Sequence, residues 1–558
     1  MTTSPAIRSG IGDYTRHLLP YLLEHFEVDL YVEPGARIEG VRIVDLALRS
    51  SDDLDPTQYD RVLYQLGNER NHAFMSRLIR RIGGVVVQHD WVLFDLALAS
   101  FPALTRGGLK GAALATREGG TQGLGTYLGN WRDRRNSRTK RVESPAGPLP
   151  PGELLAGWHD PDDHGRWCAD FARFRLPAEG VRSVTVAGAA PAGTQLDLNL
   201  LDDNGRVART LVRHECSKTE PWGILTSQLD GLDQPVLQLE VSPVQVTAEQ
   251  RRHGDSRRLG CHVERIEWEN QSGAHGLDLA GPAAHPIPVV TLSRDRFQLA
   301  LNRSIVRQAD GFIVHSNYVG DNIRRVRGSS SHVGLVPHGA ERRWHDKPLG
   351  EARRELGLPE SWARGFLLAS FGGVQAHKRV DRVLEGLALA RERRQDVHLV
   401  MVGDVCSESL DARLEAKRLG VEDAVHFAGF APEEEVFQWL HAADAAINLR
   451  GPTSGGSSGG IFQTFAFGRP VIASNAAEQA ELPASCTLRV PLGEGEVESI
   501  ADHLVELAGN AARLAELQAA AREFVETEAH WSLCAKRYAD YLASFPAHRG
   551  ARGSSTAV

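Results

Sequence analysis

Residues 450–471 read RGPTSGGSSGGIFQTFAFGRPV. From 451 to 460 the chain is only Gly, Ser, Thr and Pro, and then it turns abruptly apolar. DAAINLR, just before, reads as a buried strand. A helix is expected from about Ser458, and PVIAS after it reads as the next strand. So bare a loop presents backbone N–H groups with few side chains in the way, and its glycines allow a turn and a close approach. Unpaired N–H groups and the positive end of a helix together make an anion site. A Gly/Ser run taken alone is equally the composition of a flexible linker. Its place between a strand and a helix favours the anion loop.

FLLASFGGVQAHKRVDRVLEGLALA, residues 366–390, repeats the device. A strand ends in Phe371-Gly372-Gly373, and a helix is expected over 379–394, with Lys378 at its start. A cation at a helix N-terminus is disfavoured by roughly 0.3–1 kcal/mol. Lys378 therefore either points into water or has an anion in front of it. The chain has 7 Lys against 56 Arg, so a lysine here is not casual. Arg379 reads as solvated.

The N-terminal part offers a third glycine turn, SGIGDYTRHLLPYL (9–22), with Gly10 and Gly12 leading into a helix. No strand-like segment precedes it: either the first strand is missing or the true start lies upstream. YQLGN (64–68) and QHD (88–90) close two strands at their carboxyl ends, where open α/β sheets bind ligands. Asn68, His89 and Asp90 thus become candidates; a satisfied structural histidine is the alternative for His89.

Three composition zones organise the 558 residues. Residues 1–140 alternate strand and helix patterns, as a parallel sheet between helices requires. Residues 141–288 open on the Pro/Gly run SPAGPLPPGE and continue in period-2 segments such as VRSVTVAG, TQLDLNLLD and HVERIEWE. They read as an inserted β-sandwich. Residues 289–345 resume the first domain, 346–530 form a second α/β domain, and 531–558 form a helix and a disordered tail. Within the insert, Trp158 and Trp167 read as sugar-stacking platforms or as buried packing. Asp160, Asp162, Asp163 and His164 read as a calcium cluster or as a solvated turn.

A net charge of −8 argues against general nucleic-acid binding. WRDRRNSRTKR, residues 131–141, is a local basic segment, either a solvated linker or a contact for anionic lipid or an acidic acceptor. No apolar run reaches the ~20 residues that span a bilayer, and MTTSPAIRSG lacks a signal core. Six cysteines without a CxxC pair point to reduced thiols and a cytosolic protein rather than zinc.

Taken in order, SGIGDYTRHLLPYL, YQLGN, VVVQHD, GFIVHSNYV, VPHG, SFGGVQAHKRVDRVLEGL, VMVGD, VHFAGF and FGRPVIAS resemble the landmarks of glycosyltransferase family 4. The resemblance covers nearly everything outside the insert. It implies a GT-B fold: two Rossmann-like domains facing a cleft. It implies a nucleotide-diphospho-sugar donor on the C-terminal domain, an acceptor on the N-terminal domain, retention of anomeric configuration, and no cofactor or metal. Lys378 matches the family's phosphate-binding lysine. Gly372, Gly373, Gly456, Ser457, Ser458 and Gly459 match donor-binding segments. Gln463 stands at the second of two family glutamates, which holds ribose hydroxyls, and His89 matches the histidine near the donor sugar. Gly10, Gly12, Asn68 and Asp90 fall on the acceptor side. Lys378 and His89 are the candidate catalytic residues.

Three features depart from the family. Gly455 or Gly456 stands for the first glutamate and Gln463 for the second. Gly373 replaces a phosphate-binding arginine, and the first strand is missing. The resemblance leads to a mannose-like hexosyltransferase acting on a glycan or lipid-linked acceptor in surface polysaccharide synthesis. Its place is the cytoplasm, with peripheral contact at the inner face of the membrane. The rivals are a weakened GT-B protein that binds sugar or activates a partner, and another GT-B activity such as an epimerase.

Overall fold

The computed structural model describes residues 1–545, apart from 8, 107, 140–148, 163, 218–219, 230–231, 245–258, 282, 286–298, 329–331, 345–346, 404–405 and 408–409. The tail from 546, the first half of the SPAGPLPPGE run and the expected boundary at 288/289 lie outside the described residues. So do the side chains of most of the basic segment 131–141 and of Asp160, Asp162 and Asp163. The chain forms two compact units, one of 1–127 and 294–558, the other of 128–293.

The first unit contains two parallel sheets, each the centre of a lobe. In the first lobe the strand order is Val333–Leu335, Gly311–Val314, Val85–Gln88, Leu63–Leu66, all parallel. These strands are short and apolar, as expected where helices cover both faces of a sheet. The residues ahead of the Gly10–Leu22 helix form no strand. The Gln65 N–H donates to the Met1 carbonyl at 3.0 Å and the Thr2 N–H to the Tyr31 carbonyl at 3.0 Å, so Met1 and Thr2 bond to Leu63–Leu66 and Leu30–Val32. Thr2, Thr3 and Ser4 are all buried.

The second lobe has six parallel strands in the order Val425–Gly429, Val397–Val402, Phe366–Phe371, Ala445–Asn448, Val471–Ser474, Thr487–Val490. In chain order this is 3-2-1-4-5-6, the doubly wound arrangement whose order reverses between strands one and four. The Val380–Arg393 helix packs Val383, Leu384 and Leu387 into the core beside Leu368 and Leu399. After Glu496–Gly509 and Ala511–Phe524, the Trp531–Ala543 helix returns to the first lobe. There Tyr538 and Trp531 pack with Tyr14 and Leu18.

The second unit carries two six-stranded sheets, every pairing antiparallel except Ala283–His285 with Leu154–Ala156. Val184, Val186 and Ile266 of one sheet share a core with Leu196, Leu198 and Leu239 of the other. The Asp202 turn joins Thr194–Leu201 to Val207–Cys216, a strand that its exposed polar alternation had hidden. Trp158 is fully buried and donates to the Arg173 carbonyl at 2.8 Å, so its role is packing. Trp167 is half-buried beside His262.

Among the described residues, no helix is long and apolar enough to cross a membrane. Nor does any group of three or more His, Cys, Asp or Glu stand in position to hold a metal ion.

Candidate functional site

The reversal of strand order opens a crevice between the ends of Phe366–Phe371 and Ala445–Asn448. The loops leaving these strands are tied together: the Gly451 N–H donates to the His377 carbonyl at 2.8 Å, and Arg450 Nη1 donates to His377 Nε2 at 2.9 Å. Gly372 adopts φ +87, in the left-handed region, and a Cβ there would collide with the Lys378 ammonium. Glycine is thus required twice over: for the turn and for the lysine lying across it.

Above these loops lies a cavity of about 420 Å³. Its second-lobe wall is Gly372, Lys378, Arg450, Ser457, Ser458, Gly459, Gly460 and Gln463; the first lobe contributes Gly10, Asp13, Tyr14 and His17. His338, Glu341, Arg343 and Trp531 also line it. The helix beginning at the cavity, Gly459–Ala466, has Ser458 as its N-cap without a side-chain capping bond; Ser458 Oγ instead accepts from Asn448 Nδ2 at 3.2 Å. Three cationic side chains (Lys378, Arg450 and Arg343), the carboxylates of Asp13 and Glu341 and a helix start therefore share one hollow. A unit charge 4 Å away at an effective dielectric of 20 is worth about 4 kcal/mol.

The glycine loop divides into two jobs. Ser457 to Gly460 face the cavity, whereas Gly455 and Gly456 face the first lobe. A Cβ at Gly455 would lie 2.8 Å from Trp91 and Tyr318, and one at Gly456 would run into the Asp90 carboxylate. Ser454 Oγ donates to Asp90 Oδ1 at 2.7 Å, and the Val92 N–H donates to the Ser454 carbonyl at 2.8 Å. Gly456 is therefore corrected from a donor-facing residue to one that lets the two lobes approach.

Asp90 also accepts from the Asn68 N–H at 2.9 Å, and Asn68 Oδ1 accepts from the Asp95 N–H at 2.7 Å at the start of Phe94–Ser100. Burial raises the Asp90 pKa, partly offset by these bonds. Asn68, Asp90, Gly12 and Gly373 are not in the cavity wall; Gly12 packs against Thr3, its added Cβ meeting Thr3 Oγ1 at 3.1 Å.

His89 is the main correction. It is buried, absent from the wall, and engaged at both ring nitrogens: Nδ1 with His315 Nε2 at 3.2 Å and Nε2 with Gln65 at 2.8 Å. His315 Nδ1 donates to the Val336 carbonyl at 2.9 Å, and His89 Nε2 faces the acceptor oxygen Oε1 of Gln65. Burial first, then the neighbouring His315 and His338, holds the His89 pKa well below the usual value. Tyr14 stands edge-on to His89 at 4.7 Å and itself lines the cavity. The strand-end argument placed His89 at the correct sheet edge but could not foresee that Tyr14 covers it.

Sequence reasoning missed Arg450, Arg343 and His338. Arg450 was quoted at the head of the glycine stretch yet given no role; its position just beyond a strand end was the available signal. His338 sits in VPHG, stacks on Phe462 at 4.9 Å, and is pushed down to about 3 by burial, so it stays neutral. Arg379, expected in water, forms a two-point ion pair with buried Glu496.

Residues 365–510 match the family described as Glycosyl transferases group 1. The match spans all six strands of the second lobe's sheet. No curated protein matches the chain. Similar solved structures include Anabaena HepE in complex with UDP and glucose, at 19% identity and a TM-score of 0.39, covering 45% of this chain and 68% of that one. WaaG, a glycosyltransferase involved in lipopolysaccharide biosynthesis, aligns at 21% identity and a TM-score of 0.38, covering 45% and 68%. Sucrose-phosphate synthase from Thermosynechococcus elongatus aligns at 21% identity and a TM-score of 0.37, covering 44% and 61%.

Proposed function

We propose that this chain is a retaining GT-B glycosyltransferase of the family 4 type, with a β-sandwich inserted in its N-terminal domain. It transfers a mannose-like hexose from a nucleotide-diphospho-sugar to a glycan or lipid-linked acceptor in surface polysaccharide synthesis, in the cytoplasm at the inner face of the membrane. One observation carries the reading: Lys378 and the helix start at Ser457 to Gly460 meet in one cavity, at the strand-order reversal of a domain that matches Glycosyl transferases group 1.

Breaking the sugar–diphosphate bond puts negative charge on the leaving oxygen while the sugar becomes oxocarbenium-like. Positive potential fixed in advance at that oxygen lowers the barrier. Lys378 and the N–H groups of Gly459 and Gly460 supply it, and Gln463 meets the ribose. The acceptor enters from the Gly10, Asp13 and His17 side. No protein nucleophile is invoked, in keeping with a same-face displacement, and no metal or cofactor takes part.

A thermal-shift screen of UDP-, GDP- and ADP-sugars, followed by a transfer assay with the best binder, tests the reading. A rise in melting temperature with one donor, and a glycosylated product, are expected. Failure of every nucleotide diphosphate and sugar donor to bind would overturn it. A binding protein without transfer is the second reading. It is favoured by Gly455 and Gly456, which stand at the first family glutamate and face Trp91, Tyr318 and Asp90 instead of the cavity. Donor binding without product or nucleotide release selects it.

A further inference from the structure

Arg450 lines the same cavity as Lys378, from the other strand end. Nη1 donates to His377, which as an acceptor contributes no negative charge. Nε is buried and has no hydrogen-bond partner among the described residues. The carboxylates of Glu478 and Asp90 attract the guanidinium from a distance, and burial lowers its pKa from the ordinary value.

A guanidinium does not shed its proton to escape burial. Desolvated without a paired carboxylate, and with a donor unused, it carries an uncompensated cost that an anion relieves. Its neighbours in the wall fit one anion in particular. Lys378 is a point charge on one side, and the Gly459–Ala466 helix start lies on another. A guanidinium fork complements two oxygens at once. Gly373 has no side chain to offer, so the Phe366–Phe371 strand end supplies only Lys378.

We propose that Arg450 is the second cationic ligand of the diphosphate, gripping one phosphate group while Lys378 meets the other. This rests on the donor reading of the cavity and adds a ligand to it. His377 accepts at Nη1 and so fixes the guanidinium at the cavity wall. Lys378 and Arg450 line the same hollow, and a diphosphate pairs with both.

Calorimetric titration of the full chain with inorganic pyrophosphate and with UDP at low salt tests this. Wild type is compared with Arg450→Met, Lys378→Met and, as a control for lost net charge, the exposed Arg364→Gln. Arg450→Met is expected to weaken both ligands about 30-fold, as loss of a desolvated charge contact does. Arg364→Gln should change them less than about twofold, as a screened surface charge does. Unaltered affinity in a folded Arg450→Met protein, with affinity lost in Lys378→Met, overturns the role of Arg450 and leaves the donor reading standing. Absence of binding in wild type sinks both. Should Arg450→Met not fold, a crystal of wild type soaked in pyrophosphate decides. Guanidinium nitrogens within hydrogen-bond distance of phosphate oxygens support the proposal; an anion bound out of their reach refutes it.

Discussion

Arg450 Nη1 donates to His377 Nε2 at 2.9 Å, while the His377 carbonyl accepts the Gly451 N–H at 2.8 Å. One residue thus ties together the loops of two strands that are neighbours in the sheet but distant in sequence, and Lys378 follows it directly. His377→Ala removes the side-chain bond and keeps the backbone one. Pyrophosphate affinity should fall about threefold to tenfold, the net worth of one ordinary hydrogen bond. His377→Gln restores an acceptor and should recover most of the loss. Equal weakening in both variants would mean that the ring packs and does not position.

Lys378→Ala tests the centre of the donor reading. The side chain is half-buried at a cavity wall, so its loss opens no core void. Transfer should drop by at least about 100-fold, as removal of one preorganised contact to a developing oxyanion does. The melting temperature without ligand should stay within a degree or two of wild type, as for a surface change. Full activity in this variant would be incompatible with the assignment.

Gly372→Ala asks whether the glycine serves the lysine. At φ +87 an alanine is strained, and its Cβ displaces the Lys378 ammonium. The variant should fold with a loss of about 1–2 kcal/mol. It should bind pyrophosphate as poorly as Lys378→Ala, and the double variant should be no worse than either single one. Additive losses would separate the two residues.

Much of the second lobe was legible because its central strands are largely apolar: FLLASF, VHLVMV and DAAIN form where expected, whereas Thr487–Val490, with Thr487 and Arg489 in it, and the Ala412–Arg418 helix were not read. Lys378 was legible because a rare lysine at a helix start stands out. Other features depended on neighbours distant in sequence. Met1 and Thr2 are held by bonds to Tyr31, Leu63 and Gln65, which their own composition cannot signal. His89 lies at the expected edge but is covered by Tyr14, a residue 75 positions earlier. Half of the glycine loop serves lobe contact, and composition does not separate that from anion contact.

Asp90 and Gly456 provide a test of that contact. Asp90 accepts from Asn68 and Ser454, so Asp90→Ala leaves both donors without their acceptor. A loss of about 2–3 kcal/mol is expected, from two donors stripped of partners in a buried place. Gly456→Ala forces a methyl against the Asp90 carboxylate and should loosen the loop from the first lobe. Hydrogen exchange at residues 453–457 should rise in both variants, with that of the Val397–Val402 strand unchanged. Exchange unaltered at the loop would show that Asp90 does not hold it.

Glu478 gives the protein a pH signature. Its side chain is 5% exposed; Oε1 accepts from Thr453 Oγ1 at 2.6 Å, and Oε2 has no partner among the described residues. Burial raises its pKa from 4.5 to about 7, with the Thr453 bond and Arg450 pulling the other way. Between these values the folded protein keeps a proton that the unfolded chain gives up. Stability from this group is therefore greatest below pH 4.5, falls as pH rises through that window, and levels off above 7. Glu478→Gln keeps the neutral form at every pH. Its stability relative to wild type should climb between pH 5 and 8 by up to about 3 kcal/mol, the linkage worth of a shift of this size. Urea unfolding of both proteins across that range measures the difference. A difference independent of pH would mean that Glu478 is ionised in the folded protein throughout, with Arg450 close enough to hold it so.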